Sequence, residues 1–262
     1  MPIFIQEIKR QRTAVLIWSL STGLLLAACV LMYPDMESEM EGVTEMFSSM
    51  GNFTAAFGMD QLNFGTLIGF YGVEGGNILG IGGAFFAAIT GIAALMKEER
   101  DRTAEFLLTH PVSRVKVITE KLLGTIALII ILNLIVLICS WVSVAIIGSE
   151  IEWSDVLLLH LAYLLLQFEI AGICFGASAF ISRSGMGIGI GVAAIMYFLN
   201  IVANISSDAK VLKYITPFGY TEASDIINDH ALNMEYLACG MIIMVVGIVV
   251  AYVKYMKKDI RA

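Results

Sequence analysis

Six apolar runs, each near the length of a membrane-spanning helix, constrain this chain more than any other feature. They lie at about 14–33, 76–96, 122–147, 156–181, 187–203 and 236–253. About 20 apolar residues in helical form cross the hydrocarbon core. In lipid the backbone must bond to itself, so spans are helices or a closed barrel. The run 122–147 is continuously apolar and lacks a barrel's alternation, so the expected fold is all-α and polytopic. Composition agrees: 58% of the 262 residues are hydrophobic and 15% are charged. Mean hydropathy is +0.82, as in a membrane protein rather than a soluble globule.

The charges give the chain a direction. With a cytoplasmic N-terminus, 14 of the 16 Lys and Arg residues fall inside. These are Lys9, Arg10 and Arg12; Lys97, Arg100, Arg102, Arg114, Lys116 and Lys121; Arg183; and Lys254, Lys257, Lys258 and Arg261. Only Lys210 and Lys213 fall outside. Lys and Arg are retained on the cytoplasmic side, so both termini are expected there, with 34–75 and 204–235 outside. The expected location is the plasma membrane, crossed six times by one domain spanning 1–262. Acidic residues such as Asp35, Glu41, Glu45, Glu150 and Asp225 collect outside, and the net charge is −7. That balance is no nucleic-acid signature, and no nucleic-acid partner is expected.

Several chemistries lack their residues. Cys29, Cys139, Cys174 and Cys239 are scattered without a C-x-x-C pair, so neither a zinc site nor a disulfide framework is indicated. His110, His160 and His230 form no metal pattern, and the expected metal set is empty. Met36, Met40, Met46, Met50 and Met59 enrich the outer connection without an accompanying His, which favours packing over copper. No G-x-x-x-x-G-K-[ST] occurs, so this chain is no P-loop ATPase by itself. The first apolar run is full length without a small-x-small cleavage site and reads as a retained span.

Local signals refine the spans. Residues 2–12 carry Ile3, Phe4, Ile5 and Ile8 with Glu7, Lys9, Arg10 and Arg12, the pattern of a short amphipathic helix on the inner surface that feeds the first span. Pro34 is expected to stop that span. Met36, Met40, Val43 and Phe47 then recur at helical spacing, an amphipathic helix on the outer surface or capping the bundle. Gly172/Gly176 and Gly187/Gly191 have the spacing that lets membrane helices approach closely. Asn133 and Asn200 are expected to hydrogen-bond between helices. Glu169 lies near the middle of the fourth span, where an acid costs roughly 2.5–3.5 kcal/mol on insertion scales. It is either a substrate-path or gating residue or a protonated structural carboxyl.

The largest cytoplasmic element is the basic loop 97–121. Asp101 or Thr103 can cap a short helix there, His110-Pro111 ends it, and Ser113 can cap the helix that follows. The result is a transverse helix at 103–109 with Phe106, Leu107 and Leu108 apolar on a cytoplasmic surface, which calls for a partner.

This loop resembles the permeases of ABC-2-type transporters. Glu98, Glu99, Thr103, Glu105, Leu107, Leu108, Pro111, Val112, Ser113, Arg114 and Lys121 match their pattern. Tyr214–Phe218 and Lys257-Lys258-Asp259 add weaker matches, and Arg102 departs where the family usually has Gly. The resemblance implies the six-helix membrane subunit of an ATP-driven exporter. Such a subunit works with a second permease copy or homologue and separate ATP-binding subunits, which hold the ATP and magnesium; this chain would bind no cofactor. The 103–109 segment would be the coupling helix, with Thr103, Glu105, Phe106, Leu107, Leu108, Pro111 and Arg114 facing the ATPase. Similarity to small permeases without fused ATPase domains implies hydrophobic or amphipathic peptide cargo. Two alternatives stand beside this: a non-transporting scaffold or immunity subunit, and an intramembrane protease. The second is weakened because the Glu98-Glu99 pair lacks the Arg that CAAX-type proteases place four residues on, where Thr103 stands.

Overall fold

A computed structural model describes residues 2–59, 61–100, 112–181 and 185–257. The expected coupling helix at 103–109 lies outside these residues. Among the described residues six helical spans are long and apolar enough to cross a membrane, so the chain is an all-α polytopic membrane protein. Helix α1 runs Pro2–Ser49 and α2 is the short Asn52–Ala56. The second span is composite: α3 (Leu67–Gly75), a π-helical turn Gly76–Ile81, and α4 (Gly82–Arg100). Then come α5 (Arg114–Ile147), α6 (Trp153–Ser178) and α7 (Met186–Ile205). Two 3₁₀ turns, Ser207–Tyr214 and Pro217–Tyr220, lead to α8 (Ala223–Asp229) and the last span, α9 (Met234–Lys257).

The helix ends follow local chemistry. Thr66 caps α3 by accepting from the Gly69 amide, and Ser113 caps α5 by accepting from Lys116. Asn233 Oδ1 accepts from the amides of Glu235 and Tyr236 at the start of α9. Gly148, at φ 67°, closes α5 in the left-handed conformation that glycine adopts without a Cβ penalty.

Three expectations need correction. Pro34 does not stop the first helix: α1 continues through it. Tyr33 stacks on Phe70 at 5.2 Å, and Met36 and Val43 pack on the core beyond the proline. That packing outweighs the roughly 3 kcal/mol a mid-helix proline costs. Residues 67–75, expected outside, belong to the second span. The amphipathic segment 2–12 is the start of α1 rather than a helix lying on the surface, and Ile3 and Glu7 are buried against its neighbours.

The start of α1 and the end of α9 meet at one end of the bundle. There Ile3, Leu95, Val117, Ile118, Phe175, Ala251 and Tyr255 form one apolar cluster. We call this the termini end and the opposite one the far end. Helix α1 packs along α5, while α6 sits among α4, α5 and α9. The second and fourth spans are mostly buried, whereas the fifth and sixth expose most of their surface. The α6–α9 crossing needs glycine: a Cβ on Gly176 would lie 2.6 Å from the Gly247 carbonyl oxygen, and one on Gly247 would lie 2.8 Å from that of Gly172. The Gly172/Gly176 pair thus serves helix packing, whereas Gly187 and Gly191 face open space.

Candidate functional site

At the termini end, the flanks of the loop 101–111 are fastened to helices remote in sequence. The amides of Ile3 and Phe4 donate to the Glu120 carboxylate at 2.9 and 3.1 Å. A helix N-terminus presents unpaired donors and a positive dipole, which Glu120 of α5 satisfies. One turn on, Glu7 lies between Lys97 of α4 at 3.7 Å and Lys121 of α5 at 3.4 Å. Lys121 also donates to the Ala94 carbonyl at 2.7 Å. All three charged side chains are buried. Glu7 therefore clasps the residues on both sides of the loop.

Across the bundle, Arg114 donates to the carbonyls of Tyr255 and Met256 at 3.3 and 3.2 Å. It thereby caps the C-terminal turn of α9, where a cation suits the dipole. The hydroxyls of Thr119 and Tyr252 share a hydrogen bond of 2.7 Å, and the Lys254 ammonium stands 5.3 Å over the Phe180 ring. Of the expected ATPase-facing set, Arg114 is the member that is described. Thr103, Glu105, Phe106, Leu107, Leu108 and Pro111 lie outside the described residues.

Helix α6 carries a buried polar column through the bundle. His160 Nε2 lies 2.7 Å from the Tyr71 hydroxyl, which donates to Ser140 at 2.7 Å. Tyr163 donates to the Gly72 carbonyl at 3.4 Å, and its ring packs against Gly75, Gly76 and Gly80. Gln167 accepts from Asn133 of α5 at 2.7 Å and reaches the Leu79 carbonyl in the π-helical turn at 3.5 Å. The glycines of the second span thus make room for polar α6 side chains. Asn133 makes the interhelical bond its position suggested.

Glu169 is buried on the other side of α6. Its Oε1 accepts from the Tyr220 hydroxyl at 2.9 Å, and its Oε2 has no hydrogen-bond partner among the described residues. A Cβ on Gly240 would overlap this carboxylate. Its partner is thus a neutral hydroxyl from a segment expected to be an outer loop. That segment re-enters the bundle. Pro217, Phe218, Gly219 and Tyr220 are all buried, and Thr216 donates to the carbonyl of Met196, midway along α7. Irregular backbone at such depth is tolerated where protein surrounds it. The re-entry is what sequence reasoning missed. Its available signal was the apolar, proline-bearing stretch Tyr214–Tyr220 inside a supposed loop.

The far end uses amides rather than ammoniums. Glu222 accepts from Asn200 and Asn204 of α7 at 2.5 and 2.6 Å, so Asn200 bonds to the re-entrant segment rather than to another span. His230 Nδ1 pairs with Asp155 of α6 at 2.8 Å, and the Asp155 hydrogen bond and charge raise the His230 pKa above its ordinary value. No metal-holding group of His, Cys, Asp or Glu occurs among the described residues.

Six spans, a buried polar column and a re-entrant turn define an α-helical multi-pass membrane protein. The family described as ABC-2 family transporter protein matches residues 1–260, and the chain belongs to that family. It is a membrane subunit of an ABC transporter, not itself a P-loop enzyme. Among curated proteins, none matches the chain.

Proposed function

We propose that this chain is the permease half of an ATP-driven exporter for hydrophobic or amphipathic peptides. It works in the plasma membrane with both termini cytoplasmic. A second permease copy or homologue completes the pathway, and separate subunits hydrolyse ATP. The observation that carries this reading is the clasp at the termini end. Glu7 joins Lys97 and Lys121 on the two sides of the loop, and Arg114 joins the loop's exit to α9. A push on the loop would then reach the first, second, third and sixth spans together. The basic residues gathered at this end support its cytoplasmic placement. The apolar Phe106-Leu107-Leu108 face supports a protein partner there.

The test has two arms. Cysteines introduced at 45 and 105 are probed in intact cells with an impermeant reagent; position 45 should react and position 105 should not. The permease is then reconstituted with the ATPase that co-purifies with it. ATP-dependent peptide movement into the vesicle lumen or out of it, as orientation dictates, is expected. ATPase binding without peptide movement would favour the scaffold alternative.

A further inference from the structure

Lys210 and Lys213, the two basic residues placed apart from the other 14, share one face of one short helix. Ser207–Tyr214 is a 3₁₀ helix, in which side chains at i and i+3 eclipse. Both lysines line one far-end cavity of about 350 Å³, together with Gln61, Asn204, Asn233 and Tyr236. A volume of this size is in the usual range for small-ligand sites.

Among the described residues the charges in the cavity are not mutually satisfied. Glu222 and Asp225 also line it. The Glu222 Oε1 is already held by Asn200 and Asn204. Among the described residues neither lysine forms an ion pair. Two eclipsed ammoniums repel each other, and an anion between them would relieve that repulsion. The neighbouring carboxylates disfavour a multiply charged anion and leave a monoanion as the better fit. Ile205, Val211 and Met234, sequence neighbours of lining residues, are exposed, as are Phe198 and Val202 on α7 and Ile242 and Val245 on α9. In a bilayer these helix faces meet acyl chains.

We propose that this cavity binds the phosphodiester of a phospholipid headgroup. The phosphate sits between Lys210 and Lys213, the amides of Gln61, Asn204 and Asn233 serve the remaining oxygens or the headgroup alcohol, and the acyl chains lie along α7 and α9. The positive-inside rule is broken here because the two lysines meet lipid phosphate at the far interface.

The test uses the purified full chain in a non-ionic detergent, titrated with phosphatidylglycerol in mixed micelles, with the thermal unfolding midpoint as readout. A saturable upward shift is expected. In K210Q/K213Q the apparent affinity should fall about twenty-fivefold, on roughly a fivefold loss per lysine at a membrane surface. K210R/K213R should keep it. A phosphate-free glycosyl diacylglycerol should give no saturable shift, and inorganic phosphate should act only at far higher concentration. An unchanged response in K210Q/K213Q, or an equal response to the phosphate-free lipid, would overturn the proposal. Saturation by inorganic phosphate at the lipid's concentration would assign the cavity to a free anion. A response to an amphipathic peptide with a free carboxylate, absent with its amidated form and with phosphatidylglycerol, would assign it to cargo. Either of these last two results would also overturn the lipid reading.

Discussion

At the termini end the buried carboxylate Glu7 is held by two ammoniums, Lys97 and Lys121; at the far end the half-buried Glu222 is held by two amides, Asn200 and Asn204. The first arrangement joins three helices through full charges and fixes them relative to one another. The second uses neutral donors from a single helix to hold a re-entrant turn beside the far-end cavity. The termini end is thus built as a rigid clasp around a loop, and the far end as a vestibule with polar walls. The proposed function uses this division: force enters through the stiff end, and cargo leaves through the end that can rearrange.

The largest effect should follow from breaking the clasp. Glu7→Ala leaves two buried lysines without their shared carboxylate, and losing one partner of a buried ion pair costs about 3–5 kcal/mol. Thermal unfolding in detergent should show it, and Glu7→Gln should recover part of the loss through its remaining hydrogen-bonding oxygen. A wild-type midpoint in Glu7→Ala would mean that the clasp carries little of the termini end's stability.

Next in size is the α6–α9 crossing beside the termini-end cluster. Gly176→Leu must push α9 away from α6, and overpacking a tight core typically costs about 1–3 kcal/mol. Gly191→Leu projects into open space within this chain and should leave the monomer's stability unchanged. The pair is compared by midpoint and by yield of monodisperse protein. Equal losses would show that Gly191 meets another subunit.

Glu222→Ala should cost less than Glu7→Ala, about 1–2 kcal/mol, because it strands two neutral amides rather than two charges. If the order of the two glutamate variants reversed, the contrast between clasp and vestibule would fail.

The smallest effect concerns pH. Asp155 raises the His230 pKa in the folded protein. A group with a raised folded pKa stabilises fully below its unfolded value, about 6.5 for histidine, and loses that contribution as pH rises through the folded value. His230→Asn should therefore narrow the stability difference between pH 6 and pH 8 slightly. His230 is exposed, so solvent screening keeps the change small. A wider difference in the variant would have the wrong sign.

The two ends were unequally legible in the sequence. All six spans follow from apolar runs, because hydrocarbon leaves a helix few alternatives. The Ser113 cap and the Asn133 bond were readable from residue type and position. Glu7 was not, since an acid in a basic amphipathic segment looks solvated until Lys97 and Lys121 arrive from other helices. The continuation through Pro34 depends on Tyr33 meeting Phe70, a contact absent from local propensity. The 214–220 re-entry was hidden for a similar reason. A short apolar stretch among polar residues reads as a loop until Glu169 and Met196 are found to receive it. Lys210 and Lys213 were visible as exceptions, but their convergence required the helix type.

In the proposed function a separate ATPase drives this bundle through the loop 101–111. The most direct test of that role is co-purification of the ATPase with the wild-type permease and with Leu107→Asp, alongside ATP-dependent transport. Burying one leucine can contribute roughly 1.5–3 kcal/mol, so a charge there should detach or uncouple the ATPase. Glu105→Ala should have little effect, because an exposed ion pair is worth about 0–1 kcal/mol. Membrane insertion and the unfolding midpoint of Leu107→Asp should match the wild type. A folded Leu107→Asp permease should lose ATPase binding or transport; full assembly and full transport in that variant would show that the loop is not the coupling element.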